Sequence, residues 1–176
     1  MRTSEKPAEV RAISVASSLV RNGRSNPSPD MDDKTEPRTL VRVLLVDDHE
    51  VARRGIRSVL AGNPDLEIVG ESADGEEAVK KAVELRPDII LLDISLPGIS
   101  GIDAARTVHK ISPKTRVIFV SQHDSVRIAK DAMSFGASGY VVKSDAGRDL
   151  LAAINAALEG REFVSRTLVA RGWTEN

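Results

Sequence analysis

Val41-Arg42-Val43-Leu44-Leu45-Val46-Asp47-Asp48-His49-Glu50 is an apolar run that breaks abruptly into acid. Consecutive branched aliphatic residues mark a strand covered on both faces, as in a parallel sheet sandwiched between helices. The same pattern recurs downstream. Asp88-Ile89-Ile90-Leu91-Leu92 runs into Asp93, Arg116-Val117-Ile118-Phe119-Val120 ends at Ser121, and Gly139-Tyr140-Val141-Val142 ends at Lys143. In an open parallel sheet, ligands bind outside the carboxyl ends of the strands. The carboxylates of Asp47, Asp48 and Asp93, the Ser121 hydroxyl and the Lys143 ammonium therefore converge on one edge. The occupants such a set expects are a divalent cation and a phosphoryl group.

Between these strands lie segments with 3.6-residue apolar spacing. The first helix, about Glu50 to Ala61, turns Val51, Ile56, Val59 and Leu60 inward. The second opens at Asp74-Gly75-Glu76-Glu77, an N-cap acid with a glutamate three residues on, and buries Ala78, Val79, Ala82 and Val83. The third follows Gly101 with Ile102, Ala105 and Val108. The fourth, about Ser125 to Ser134, carries Val126, Ala129 and Met133. The fifth, about Gly147 to Leu158, carries Leu150, Leu151, Ile154, Ala157 and Leu158. With a second strand at Leu66–Gly70, the sequence predicts five strands and five helices. Right-handed crossovers then give an α/β, doubly wound parallel sheet of order 2-1-3-4-5, a flavodoxin-like arrangement.

The remainder of the chain bounds the function. Residues 1–38 hold four of the eight prolines amid serines and mixed charge, and are expected to be disordered. Translation from Met31 is an alternative reading of that region. A net charge of -1 provides no general attraction to nucleic acid or to an anionic membrane. The absence of cysteine removes disulfides, thiolate zinc sites and thiol catalysis. No apolar run approaches the roughly 20 residues of a membrane span. Ala12 to Val20 is too serine-rich and too close to Glu9 and Arg11 for a secretory signal, so a cytoplasmic location is expected. After Gly160, residues 161–176 are expected to be a tail or linker remnant with no room for a helix-turn-helix domain. Either a stand-alone domain or a fragment of a longer transcription factor fits that ending.

Taken together, Leu44 to Glu50, Leu92-Asp93-Ile94-Ser95-Leu96-Pro97-Gly98-Ile99-Ser100-Gly101, the Ser121 strand end and Gly139 to Ser144 resemble the receiver domain of bacterial two-component response regulators. The LuxR-type subfamily is nearest, and the resemblance covers residues 40–160. It implies a signalling protein rather than an enzyme. Asp93 would take a phosphoryl group from a histidine kinase or phosphotransfer protein, forming an acyl phosphate. Asp48, Asp93 and the backbone carbonyl of Ser95 would hold magnesium directly, with Asp47 acting through bound water. Lys143 would neutralise the phosphoryl charge. Ser121 and Tyr140 would be the switch, altering the surface of helix four, strand five and helix five. A homodimer through that face, or through helices one and five, is implied as well. Ser95 and His123 would set the phosphate's lifetime. The family's cis peptide would fall at Lys143–Ser144, where serine replaces the usual proline.

Plainer roles stand beside these. Strand-end aspartates also cap helices, Ser121 suits a cap, Tyr140 suits a half-buried core position, and His123 suits an exposed loop. His49 reads as a surface residue rather than a ligand. An aspartyl-phosphate phosphatase would require a second aspartate where Ser95 stands. A flavin or nucleotide binder would require a hydroxyl- or glycine-rich loop where Asp47-Asp48-His49-Glu50 stands. A phosphate sink or relay intermediate, and a phosphorylation-independent interaction module, remain as alternatives for the output.

Overall fold

The computed structural model describes residues 39–174. The expected disorder of residues 1–38 lies outside them. The elements run β1 (Val41–Val46), α1 (Glu50–Leu60), β2 (Leu66–Ser72), α2 (Gly75–Leu85), β3 (Ile89–Leu92), α3 (Gly101–Ile111), β4 (Arg116–Ser121), α4 (Val126–Met133), β5 (Gly139–Val142), α5 (Ala146–Leu158), β6 (Phe163–Val164) and α6 (Arg166–Ala170). One turn of 3-10 helix, Lys143–Asp145, joins β5 to α5.

Strand alternation divides the core in two. Leu44 and Val46 of β1 face one side with Ile90, Leu92, Phe119 and Tyr140, where the apolar faces of α2, α3 and α4 cover them. Val43 and Leu45 face the other side with Leu91, Ile118 and Val141, under Ile56 and Leu60 of α1 and Leu150 and Ile154 of α5. Both faces are covered by helices, which is why the strands read as unbroken aliphatic runs. At α2 the predicted cap forms, with Asp74 accepting from the Glu77 amide at 2.7 Å. The Glu77 carboxylate does not return to the cap amide. It accepts from the Ser72 hydroxyl, and that hydroxyl accepts from the Asp74 amide.

The sheet has six parallel strands in the order β2-β1-β3-β4-β5-β6 rather than five. The extra strand comes from the stretch expected to be a tail. Phe163 and Val164 pair with Gly139 and Tyr140 along the open edge of β5. A two-residue strand carries no periodicity, so pattern reading could not find it. α6 follows, with Leu168 fully buried. Three residues assigned inward face solvent instead, namely Val51, Val83 and Leu158, at 82%, 54% and 37% exposure. Each lies at the margin of an apolar stripe whose centre is occupied by smaller or better-placed neighbours. No cis peptide occurs among the described residues, so the Lys143–Ser144 bond is trans. Among the same residues, no helix is long and apolar enough to cross a membrane.

Candidate functional site

The carboxyl edge of the sheet is stapled so that two acids lie side by side. The Asp47 amide donates to the Ser72 carbonyl of β2 at 3.1 Å, and the Asp93 amide donates to the Val46 carbonyl of β1 at 2.9 Å. Both side chains are sunk below the surface, at 1% and 3% exposure. The loop after Asp93 folds back on itself through the Gly101 amide, which donates to the Ile94 carbonyl at 2.9 Å. A methyl group at Gly101 would overlap the Asp93 carbonyl, so glycine is required for α3 to start there.

Lys143 reaches in from the end of β5. Its Nζ lies 2.7 Å from Asp93 Oδ2 and 2.7 Å from Asp47 Oδ2. Only the Asp93 contact is aligned as a hydrogen bond. Asp47 Oδ2 is buried without any donor aimed at it. Burial alone would pull the Lys143 pKa down, but the two adjacent carboxylates, Asp47 and Asp93, outweigh it and hold the ammonium above the ordinary lysine range.

On the outer side, the His49 amide donates to Asp47 Oδ1 at 2.9 Å. The His49 ring places Nδ1 2.6 Å from Asp48 Oδ1. One potential ligand atom from each of Asp47, Asp48, His49 and Asp93 falls within 4.8 Å of all the others. Arg53 on α1 braces this turn, with Nη1 donating to the Asp47 carbonyl at 2.5 Å and Nε to Glu71 at 3.2 Å. A further carboxylate, Glu50, also pairs with Arg53.

The opposite wall is a chain of hydrogen bonds. Ser95 Oγ meets His123 Nε2 at 3.0 Å across the mouth of the site. The His123 amide donates to Ser121 Oγ at 3.2 Å, and the Tyr140 hydroxyl donates to the His123 carbonyl at 2.9 Å. Tyr140 is fully buried, and burial, the dominant influence, pushes its hydroxyl pKa up to about 12. Ser95, Ser121, His123 and Tyr140, far apart in the sequence, thus form one connected unit.

The family described as "Response regulator receiver domain" matches residues 43–155. This chain is a member of that family. The response regulator GacA of Pseudomonas viridiflava is 36% identical over 126 residues, covering 72% of this chain and 59% of that protein. The DNA-binding transcriptional activator DevR/DosR of Mycobacterium tuberculosis is 37% identical over 131 residues, covering 74% and 60%. A crystal structure of a LuxR-family two-component response regulator from Aurantimonas sp. SI85-9A1 is 37% identical, with a TM-score of 0.71, covering 74% of this chain and 94% of that one. The chain spans about three fifths of the curated relatives' length.

The receiver's predicted site residues are gathered at one sheet edge, and the structure places Arg53, His49 and Gly101 around them. Arg53 was visible only as part of an ordinary Glu50–Arg53–Arg57 helix face. His49, read as a surface residue, lies within the acidic cluster. For Gly101, quoted in the motif after β3, the steric reason for glycine emerges only from the loop's path.

Proposed function

We propose that this receiver takes a phosphoryl group onto Asp93 with magnesium, and that the group resets the Ser121–His123–Tyr140 unit. The observation that carries this is the pairing of a nearly buried carboxylate with the Lys143 ammonium at 2.7 Å, beside a second buried acid whose Oδ2 lacks an aligned donor. The donor set is mostly carboxylate oxygen, which suits a hard divalent cation. Asp47, Asp48 and Asp93 would hold magnesium, with the Ser95 backbone carbonyl completing the set. When bound, the ion supplies positive charge to the phosphoryl oxygens.

The chain's own residues do the rest. An Asp93 carboxylate oxygen attacks phosphorus on a phosphohistidine of a histidine kinase or phosphotransfer protein. The P–N bond breaks, its electron pair stays on the imidazole nitrogen, and that nitrogen takes up a proton. Lys143 stays charged throughout and shifts its contact from the carboxylate to the new phosphoryl oxygens. The Ser121 hydroxyl donates to one of those oxygens and draws the loop after β4 inward. Tyr140 already lies inside, held through the His123 carbonyl, so the loop is what moves. Ser95 and His123 close the approach of water and set the phosphate's lifetime. The folded unit extends past Gly160 to include β6 and α6. Self-association through α4–β5–α5 or α1–α5 is the proposed output.

The test is intact-mass spectrometry after incubation with acetyl phosphate and magnesium. A single phosphoryl adduct in the wild type, absent from Asp93→Asn and absent without magnesium, supports the reading. An equal adduct in Asp93→Asn rejects it.

A further inference from the structure

The C-terminal segment is docked on the switch. The Ser165 amide donates to the Tyr140 carbonyl at 2.9 Å, and Ser165 Oγ accepts from the Val142 amide at 3.0 Å. Leu168 belongs to the same apolar cluster as Tyr140, Ala129 and Met133. Beyond α6, Arg171 Nη2 lies 2.5 Å from Asp124 Oδ2. Asp124 directly follows His123, whose carbonyl holds the Tyr140 hydroxyl and whose ring holds Ser95. Trp173, half-buried, packs against that cluster, and Lys130 of α4 stands 5.8 Å from its ring centroid. The segment therefore has one firm anchor at Ser165–Leu168. The Trp173 amide is tied back to this anchor, donating to the Leu168 carbonyl at 3.0 Å, so the second hold is made by the side chains of Arg171 and Trp173 on the loop and helix that follow β4.

We infer that the Asp124–Arg171 ion pair is a latch through which phosphorylation of Asp93 controls the docking of residues 171–173. The inference rests on the phosphoacceptor reading and adds an output to it. The latch is built to be weak. Its side chains are 54% and 44% exposed, and an exposed ion pair shifts an equilibrium by about fivefold at most. When Ser121 engages the phosphoryl group, the loop is drawn toward Asp93 and Asp124 moves with it, releasing the Arg171 guanidinium. The indole then leaves Lys130, and the Met133 flank of α4 is uncovered. A contact that costs little to break is what a single phosphoryl group can operate.

Trp173 is the chain's only tryptophan, so its emission reports this segment alone. Acrylamide quenching of the full chain, with and without acetyl phosphate and magnesium, tests the latch, and adduct formation is checked by intact mass in the same samples. The expected result is stronger quenching in the phosphorylated wild type and no change in Asp93→Asn. Arg171→Gln should form the adduct to the same extent, yet show raised quenching before phosphorylation and a smaller further rise. An adduct at full occupancy with unchanged quenching overturns the latch while leaving Asp93 as acceptor. Failure of the wild type to form any adduct overturns both.

Discussion

Replacing Lys143 by methionine keeps most of the aliphatic stem and deletes the charge, so the perturbation is almost purely electrostatic. In the wild type this ammonium sits 2.7 Å from each of two carboxylates that are 1% and 3% exposed. Its loss leaves two buried acids facing one another with no counter-charge. Breaking a buried pair by removing one partner costs about 3–5 kcal/mol. The Lys143 side chain is 13% exposed rather than fully buried, so the lower end, about 3 kcal/mol, applies. Urea unfolding of both proteins measures it. The deficit should be full in chelator and should shrink with added magnesium, because the ion takes over the role of the ammonium. A ligand at a hundred times its Kd stabilises by about 2.7 kcal/mol. Phosphorylation of the variant should slow about a hundredfold, as for loss of one transition-state charge contact. A deficit in chelator below about 1 kcal/mol would put the pair in the class of surface ion pairs and refute the reasoning. A deficit indifferent to magnesium would do the same.

Three other outcomes follow from the geometry. Tyr140, the single tyrosine, has a hydroxyl pKa of about 12 against about 10 when unfolded, so its neutral form is favoured in the fold. That contribution, about 2–3 kcal/mol, is fully present below pH 10 and lost as pH rises towards 12; tyrosinate absorbance during alkaline titration should show the late transition, and a normal one would contradict it. Lys143, also raised, contributes in the same direction, so Tyr140→Phe should keep part of the alkaline loss. Leu168→Ala should cost about 2–5 kcal/mol in urea unfolding, as for a core leucine; a change under about 0.5 kcal/mol would mean that α6 is peripheral. Replacing Ser95 and His123 together should change the decay rate of the acyl phosphate, measured by loss of the adduct with time, and an unchanged rate would remove both from that role.

The sequence made the central part of this molecule legible because the physics there is repetitive. Strands covered on both faces must be aliphatic throughout, and a polar residue closes β4 and directly follows β1, β3 and β5 at the same edge, so Asp47, Asp93, Ser121 and Lys143 could be placed together from the sequence. β6 was not legible for the opposite reason. Two residues, Phe163 and Val164, gain their strand character only from the open edge of β5, and nothing local distinguishes them from a linker. Arg53 and His49 illustrate a further limit. Both are ordinary helix-start residues in sequence, and their contacts appear only when the turn after β1 brings the Arg53 guanidinium to the Asp47 carbonyl and the His49 amide to the Asp47 carboxylate. The exposed Val51 and Val83 show that an apolar residue beside a helical stripe need not belong to it.

The position of the phosphoryl group is the point on which every proposed role of this site depends. Borohydride reduction of the phosphorylated chain, followed by peptide mapping, converts an aspartyl phosphate to homoserine and so marks the residue that carried it. The prediction is homoserine at position 93 alone, dependent on magnesium. Homoserine at 47 or 48, or none at 93 despite a confirmed adduct, would contradict the assignment of the site.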